Sequence, residues 1–203
     1  MYIDVLKAAD LVKLGGVVAF PTETVYGLAA DFNNSLAVDE IFKIKQRPDN
    51  NPLTLMLSEA DDIYNFLTVV PLHLNALMDR FWPGSLTLAL PVIGNKVDVR
   101  IRAGLPTAGF RIPSNSIAQN LLKLCGPIVA PSANLSGMSP AKSVSEVEGY
   151  FGADFPAIDN DEKLLGESST VLVYCEGRWC IGREGALPLS DIAAVLGYSP
   201  LKR

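Results

Sequence analysis

Two short polar segments carry the residues best suited to chemistry. Lys45-Gln46-Arg47-Pro48 stands at the end of a predicted helix, and Pro131-Ser132-Ala133-Asn134 follows a short apolar run. An arginine can bind phosphate oxygens through two parallel hydrogen bonds, while a lysine acts as a point charge. Two cations with a serine and an asparagine are therefore suited to phosphate binding. Either segment taken alone is also typical of solvated surface cations, or of a helix cap and a turn.

Further polar residues follow or interrupt other predicted strands. The segment Pro21–Leu28 places Thr24 just past the first strand, where polar groups can hold a small ligand, although a capped turn explains the same residues. Arg111 lies between Phe110 and Ile112 in another predicted strand, so it projects from the opposite face. On a buried face this arginine needs an anion, which is either a ligand or the partner in a structural salt bridge.

Several common catalytic arrangements are missing from the sequence. His73 is the single histidine and falls inside a predicted helix, which argues against a Ser-His-Asp triad. Neither the P-loop nor the Rossmann glycine pattern occurs. No His/Cys cluster has the spacing of a zinc site. Positioned charge is therefore the chemistry that the sequence offers.

The cysteines are Cys125, Cys175 and Cys180, an odd number without metal-site spacing. This usage predicts reduced thiols, as in a cytosolic protein. Cys175 and Cys180 flank a predicted hairpin turn and so could lie near each other. The pattern favours two small apolar strand residues over a redox pair.

Composition predicts a compact globular protein. The chain has 203 residues, of which 49% are hydrophobic and 19% charged, with a net charge of −5. The acidic balance argues against a surface that binds nucleic acid everywhere, but it permits a local basic patch. No signal peptide or membrane-spanning apolar stretch is present, so we expect a cytoplasmic protein without a membrane partner.

Helical and strand patterns are mixed without strict βαβ alternation, which predicts one α/β domain with a mixed sheet. This domain is expected to span residues 1–203, with a core over about 3–188. Helices are predicted over 5–14, 36–45, 61–67, 72–81, 116–124, 143–150 and 189–196. Strands are predicted over 17–20, 53–57, 86–92, 97–102, 109–113, 128–130, 170–174 and 178–183.

Taken in order, seven segments resemble the YrdC/Sua5 family of L-threonylcarbamoyladenylate synthases. The resemblance covers nearly the whole chain, and each motif is modest by itself. The segments are PTETVYGL (21–28), KQRP with NPL (45–53), WPGSLT (82–87), FRIP (110–113), APSANLSG (130–137), SSTV (168–171) and REGA (183–186).

The resemblance implies a fold and a reaction. The fold would be a twisted open mixed α/β sheet with helices packed on it, around a large concave cavity. The reaction would join L-threonine, bicarbonate and ATP, with Mg²⁺ held through the ATP phosphates, and release pyrophosphate. The product would supply the t6A modification of tRNA through a downstream transfer complex, with possible direct contact to tRNA or double-stranded RNA. The chain resembles the short form, without the longer members' C-terminal Sua5 domain.

The resemblance also implies roles for individual residues. The family's four-residue catalytic pattern falls on Lys45, Arg47, Ser132 and Asn134. The positions implied for threonine are Thr24, Arg111 and Ser169. The positions implied for ATP are Arg47, Asn51, Asn115, Asn134 and Arg183.

Two departures from the family pattern leave alternatives open. Many members have a histidine where Met56 stands, and often another at Asn115, while the segment Met138–Ala141 is shorter than usual. One alternative is a YciO-like enzyme acting on a related adenylate or on modified tRNA. Another is a protein that binds double-stranded RNA or tRNA without synthesis. Retention of all four catalytic-pattern residues favours the synthase.

Overall fold

A computed structural model describes residues 1–202 and shows helices packed on one mixed sheet. The helices are α1 (Val5–Lys13), α2 (Ser35–Lys45), α3 (Leu74–Phe81), α4 (Ser116–Cys125), α5 (Val144–Phe151) and α6 (Leu189–Leu196), with a short 3-10 helix at Ala60–Asn65. None of the helices in this part of the chain is long and apolar enough to cross a membrane.

Eleven strands within residues 1–202 form the sheet. They are β1 (Tyr2–Ile3), β2 (Val18–Pro21), β3 (Tyr26–Asp31), β4 (Thr54–Met56), β5 (Leu86–Pro91), β6 (Thr107–Arg111), β7 (Ile128–Val129), β8 (Ala157–Ile158), β9 (Thr170–Cys175), β10 (Arg178–Arg183) and β11 (Leu201–Lys202). The spatial order is β1-β8-β2-β3-β7-β4-β6-β5-β9-β10-β11.

Strand directions in the sheet are mixed, as the sequence predicts. β2 and β3 form an antiparallel hairpin, as do β9 and β10. β4 runs parallel to β6, and β5 runs parallel to β9. The α/β fold with an open mixed sheet is therefore confirmed.

Hydrophobic cores lie on both faces of the sheet because successive strand side chains point to opposite sides. Val18 and Phe20 of β2 pack with apolar residues of α1 and α4. Ala19, between them, joins the main core, which includes residues of α2, α3 and α6. Burying one large apolar side chain contributes about 1.5–3 kcal/mol, so both layers hold the sheet in place.

Local signals correctly predict several elements. Ser143 caps α5, because its Oγ accepts a hydrogen bond from the Glu146 amide at 3.2 Å. The hairpin predicted around Glu176-Gly177 is confirmed as the β9–β10 turn. Both turn residues have positive φ, 50° and 79°, as a two-residue type I′ turn requires.

The strand predicted over 97–102 is wrong, because these residues form successive turns. The Asp98 side chain accepts a hydrogen bond from the Arg100 amide at 2.8 Å, which stabilises a turn locally. Val97 and Ile101 are buried nonetheless. The apolar alternation therefore reflects two side chains that anchor a turn in the core.

The sequence also misses β3, which follows β2 after a tight turn. The motif Pro21–Leu28 reads as a ligand loop, but most of it belongs to a hairpin. Thr22 closes the turn, since its hydroxyl oxygen accepts hydrogen bonds from the Thr24 and Val25 amides at 3.2 Å each.

The prediction that His73 lies inside a helix is wrong. This residue precedes α3 with φ 65°, a left-handed conformation that a continuing helix cannot contain. The helix predicted over 72–81 therefore begins at Leu74. The helix predicted over 61–67 is the 3-10 helix at Ala60–Asn65.

Candidate active site

The strand ends and the connections between them enclose a cavity of about 460 Å³. Its wall comes from the β2–β3 turn, the segment after α2, strands β4, β5, β6, β9 and β10, and the segment after β7. Seven of the ten site residues predicted from the sequence line it: Thr24, Arg47, Asn51, Arg111, Ser132, Ser169 and Arg183. The other three, Lys45, Asn115 and Asn134, do not belong to the wall.

Lys45 lies behind the cavity wall as the last residue of α2 and is fully buried. Its Nζ donates hydrogen bonds to the carbonyl oxygens of Ser132 at 2.5 Å and Asn134 at 2.7 Å. Burial, and then the charge of Arg47, lower the pKa of Lys45 to about 7. The lysine therefore holds the Ser132–Asn134 segment through its backbone.

The turn after Lys45 directs Arg47 to the cavity. Gln46 caps α2 in the left-handed conformation, with φ 49°, which ends the helix at Lys45. Arg47 then donates hydrogen bonds from Nε to the Asn51 carbonyl at 3.1 Å and from Nη2 to the Pro52 carbonyl at 2.9 Å. These bonds brace the guanidinium against the loop that precedes β4.

Asn134 positions Ser132 from outside the wall. Its Oδ1 accepts a hydrogen bond from Ser132 Oγ at 2.6 Å. Its Nδ2 donates to the carbonyl oxygens of Leu135 and Met138 at 2.8 and 2.9 Å. Within residues 1–202, the Asn134 side-chain amide forms hydrogen bonds with its own loop alone, and it thereby fixes the Ser132 hydroxyl at the cavity surface.

Arg183 reaches the cavity through an irregularity in β10. The β9–β10 register shifts between Ile181 and Arg183, so Gly182 and Arg183 both line the wall. Arg183 Nε and Nη2 donate to the Ser169 carbonyl at 3.2 and 2.9 Å. Ser169 Oγ also contacts Thr87 Oγ1 at 2.8 Å, which joins β5 to this group.

The sequence leaves open whether the anion beside Arg111 is a ligand or the partner in a structural salt bridge, and the structure decides between the two. Arg111 Nη2 forms a salt bridge with Glu23 Oε1 at 2.7 Å and donates to Thr24 Oγ1 at 2.9 Å. Glu23 Oε2 also accepts from the Ser114 amide at 3.0 Å. The buried arginine therefore has a structural anion, and the same contacts fix Thr24 in the wall.

Three guanidinium groups impose a positive potential on the cavity. Burial, and then the charge of Arg183, lower the pKa of Arg47 from its ordinary value. Burial, and then the charge of Arg111, lower the pKa of Arg183. Glu23 pairs with Arg111, but no carboxylate in residues 1–202 lies within ion-pair distance of Arg47 or Arg183. The cavity is therefore electrostatically suited to an anion.

Asn115 serves a visible structural role away from the cavity. Its Oδ1 accepts from the Ile117 and Ala118 amides at 3.0 and 3.1 Å, which caps α4. Its Nδ2 donates to Asn160 and Glu162 at 3.2 Å each. Contact with ATP stays a prediction for this residue.

Glu23, Thr87 and Met56 are wall or wall-supporting residues that the predicted site omits. Glu23 belongs to the 21–28 motif and Thr87 to the 82–87 motif, so the motifs contained a signal for both. Met56 lines the cavity with an apolar side chain. It therefore gives this part of the wall no titratable group.

No group of three or more His, Cys, Asp or Glu side chains within residues 1–202 is arranged to hold a metal ion. The polar groups around the cavity are instead guanidiniums, hydroxyls and amides. Such groups bind anions and orient polar substrates.

Comparison with known proteins places the chain among proteins of one family. Residues 10–185 match the model of the Sua5/YciO/YrdC family, which carries the description "Telomere recombination". A Bacillus subtilis protein named threonylcarbamoyl-AMP synthase is 38% identical over 195 residues, covering 95% of this chain and 56% of the relative. A Pyrococcus abyssi protein of the same name is 40% identical over 192 residues, covering 94% and 56%.

The three-dimensional fold agrees with these sequence matches. The crystal structure of Pyrococcus abyssi Sua5 complexed with L-threonine superposes with a TM-score of 0.91 at 38% identity. The match covers 97% of this chain and 58% of the other. The chain thus spans just over half the length of these relatives.

Proposed function

The chain belongs to the Sua5/YciO/YrdC family, and we propose that it makes L-threonylcarbamoyladenylate from L-threonine, bicarbonate and ATP, releasing pyrophosphate. The observation that carries this proposal is the pair Arg47 and Arg183 on the cavity wall, without a carboxylate partner in the described chain. Cavity-lining guanidinium groups without a carboxylate partner are matched to a polyanionic substrate such as a nucleoside triphosphate.

The triphosphate is assigned to the side of the cavity that holds these two arginines. A guanidinium carries five N–H donors. Arg47 uses one on each of two main-chain carbonyls, so donors remain for phosphate oxygens. We place Asn51 and Asn134 with this ATP site, Asn51 on the wall and Asn134 as the residue that orients Ser132.

L-Threonine is assigned to the side that holds Thr24, Arg111 and Ser169. These residues combine hydroxyl groups with a guanidinium whose position Glu23 fixes. Such a group can recognise an α-carboxylate and a side-chain hydroxyl together. The relative solved with L-threonine, at 38% identity, supports this substrate.

The proposed reaction proceeds through a carbamate. The threonine amine takes up CO2 from bicarbonate, with loss of water, and a carbamate oxygen attacks the α-phosphorus in line. The bond from this phosphorus to the bridging oxygen breaks, and pyrophosphate leaves. Arg47 and Arg183 stabilise the phosphate charge, while Lys45 positions Ser132. Charge and positioning supply most of the catalysis in such transfers.

Mg²⁺ is proposed as part of the MgATP substrate. Magnesium commonly reaches phosphoryl-transfer sites bound to substrate phosphates and water. The ion would offset phosphate charge beside Arg47 and Arg183, and no ligand from the protein is assigned to it.

Incubation of the full chain with ATP, L-threonine, bicarbonate and Mg²⁺, followed by mass analysis, tests this function. We expect threonylcarbamoyl-AMP and pyrophosphate in equal amounts, and neither when threonine is left out. The Bacillus subtilis relative serves as a positive control. Absence of product under conditions in which that relative forms it would overturn the proposal.

The fate of the product forms a separate proposal. We propose that a cytoplasmic transfer system uses the adenylate for t6A modification of tRNA, and that tRNA or double-stranded RNA can contact the cationic cavity rim. Such contact would weaken steeply with added salt, because phosphate binding releases counterions. RNA affinity that does not change with salt would contradict this contact, whatever the outcome of the synthesis assay.

A further inference from the structure

The β9–β10 hairpin brings Cys175 and Cys180 together. The register pairs Cys175 with Arg178 and Cys180 with Val173. Directly opposed side chains share one face, so the two cysteines are diagonal neighbours on the same side of the hairpin. Their sulfur atoms lie 3.0 Å apart.

We propose that Cys175 and Cys180 form a reversible disulfide, which makes this end of the hairpin a redox-modification site. A disulfide requires side chains that already point at each other from adjacent backbone segments. The hairpin ladder and its two-residue turn supply that arrangement without a change of register. The sequence favours small apolar strand residues over a redox pair, and the sulfur contact is the observation that changes this interpretation.

The oxidation is a thiol–disulfide exchange with a small disulfide such as oxidised glutathione. Cys175 is partly exposed at the end of β9, whereas Cys180 is 8% exposed. The Cys175 thiolate attacks the small disulfide, forms a mixed disulfide and releases one small thiol. The Cys180 thiolate then attacks the Cys175 sulfur and releases the second thiol. The protein loses two protons and two electrons, and the small disulfide takes them up.

Cys175 and Cys180 lie on the same face of the hairpin as residues that line the cavity. Val173, opposite Cys180, lines the cavity, as does Gly182. A Cβ placed on Gly182 would lie 2.9 Å from Val173 Cγ2, which shows that the two residues face the same side. The cysteines themselves are not part of the wall. The disulfide would therefore join the two strands just outside the cavity.

Cys125 provides an internal control. It lies on α4, and burial raises the pKa of its thiol to about 11, so little thiolate exists at neutral pH. A Cys125→Ser variant should therefore oxidise like the unmodified protein.

The test treats the full chain with oxidised glutathione, alkylates the remaining thiols and maps the peptides by mass. In the unmodified protein and in Cys125→Ser, we expect most molecules to lose two hydrogens and to yield one peptide pair linked through Cys175 and Cys180. Dithiothreitol should reverse the change. In Cys180→Ser, a glutathione adduct should persist on Cys175, and in Cys175→Ser no internal link should form.

Circular dichroism is the check that both serine variants keep their fold. The unmodified protein provides the decisive result in either case. Alkylation of both Cys175 and Cys180 after oxidation would overturn the proposal. A stable glutathione adduct on Cys175 in the unmodified protein, or a link between two chains, would do the same. None of these outcomes depends on synthase activity.

Discussion

The Lys45 ammonium donates a hydrogen bond to the Ser132 carbonyl oxygen across 2.5 Å, joining residues 87 positions apart in the chain. Ser132 lines the cavity and Lys45 does not. The two polar segments are therefore connected by a buried cation that acts on the backbone of the wall. This contact gives Lys45 a positioning role that can be separated from direct contact with a substrate.

Replacing Lys45 with methionine should lower both stability and activity. The carbonyl oxygens of Ser132 and Asn134 would lose their buried donor, at a cost of about 2 kcal/mol in the free energy of unfolding. Loss of wall geometry and of a nearby cation should slow threonine-dependent pyrophosphate release on the order of 10²–10³-fold. Urea denaturation and a pyrophosphate assay measure the two effects.

Lys43→Met is the matched control, because Lys43 lies on the same helix with its side chain 79% exposed. Its contact with Glu40 is a surface ion pair, worth less than about 1 kcal/mol. Equal losses of activity in the Lys45 and Lys43 variants would contradict the positioning role.

The lowered pKa of Lys45 predicts a specific pH dependence of stability. Between about pH 7 and the ordinary pKa of 10.5, the unfolded chain binds a proton at Lys45 that the folded chain lacks. The free energy of unfolding should therefore rise with pH in this range, relative to Lys45→Met, on the order of 1 kcal/mol per pH unit. Below pH 7 both states are protonated and the difference should be constant.

Urea unfolding of the two proteins at several pH values from 6 to about 9 measures this difference. Other titrating groups are common to both proteins and cancel. Parallel stability curves across this range would show that the folded pKa of Lys45 is not lowered.

Local sequence patterns correctly predict the helices and strands that are determined by a few neighbouring residues. The helix over 189–196 and the β9–β10 hairpin have clear periodicity or turn residues, and both are observed. β3 is missed because five of its six residues are buried, so it shows no alternation. The 97–102 segment alternates for a different reason, as its turns send two apolar side chains into the core.

The same distinction between local and distant information applies to the candidate site. Seven of the ten predicted residues reach the cavity because motifs that follow strands converge at the ends of a sheet. The sequence also shows that a buried Arg111 needs an anion. It cannot identify Glu23, which is 88 residues away, as that anion. The burial of Lys45 likewise depends on carbonyl oxygens from a distant segment.

Glu23→Gln should destabilise the protein by removing the charge that compensates Arg111. The side chains of Arg111 and Glu23 are 5% and 18% exposed, so water screens the remaining guanidinium poorly. Breaking a buried ion pair costs about 3 kcal/mol when one charge stays behind. Urea denaturation measures the loss in the free energy of unfolding. The same measurement with added threonine tests whether Thr24 has moved.

Asp39→Asn is the control for a surface ion pair. Asp39 contacts Arg100 with both side chains well exposed, at 51% and 39%. Its loss should cost no more than about 1 kcal/mol. A Glu23 variant as stable as the Asp39 variant would contradict the assigned role of the Arg111–Glu23 pair.

Arg183→Met should reduce the stabilisation of the protein by pyrophosphate. A ligand at 100 times its Kd raises the free energy of unfolding by about 2.7 kcal/mol. Losing charge-assisted hydrogen bonds to phosphate should weaken binding about 10–100-fold, because such bonds contribute about 1.5–3 kcal/mol.

Arg178→Met is the control, since Arg178 is exposed at the opposite end of β10. Thermal unfolding with and without pyrophosphate measures the effect. Equal stabilisation of both variants would place the phosphate site away from Arg183.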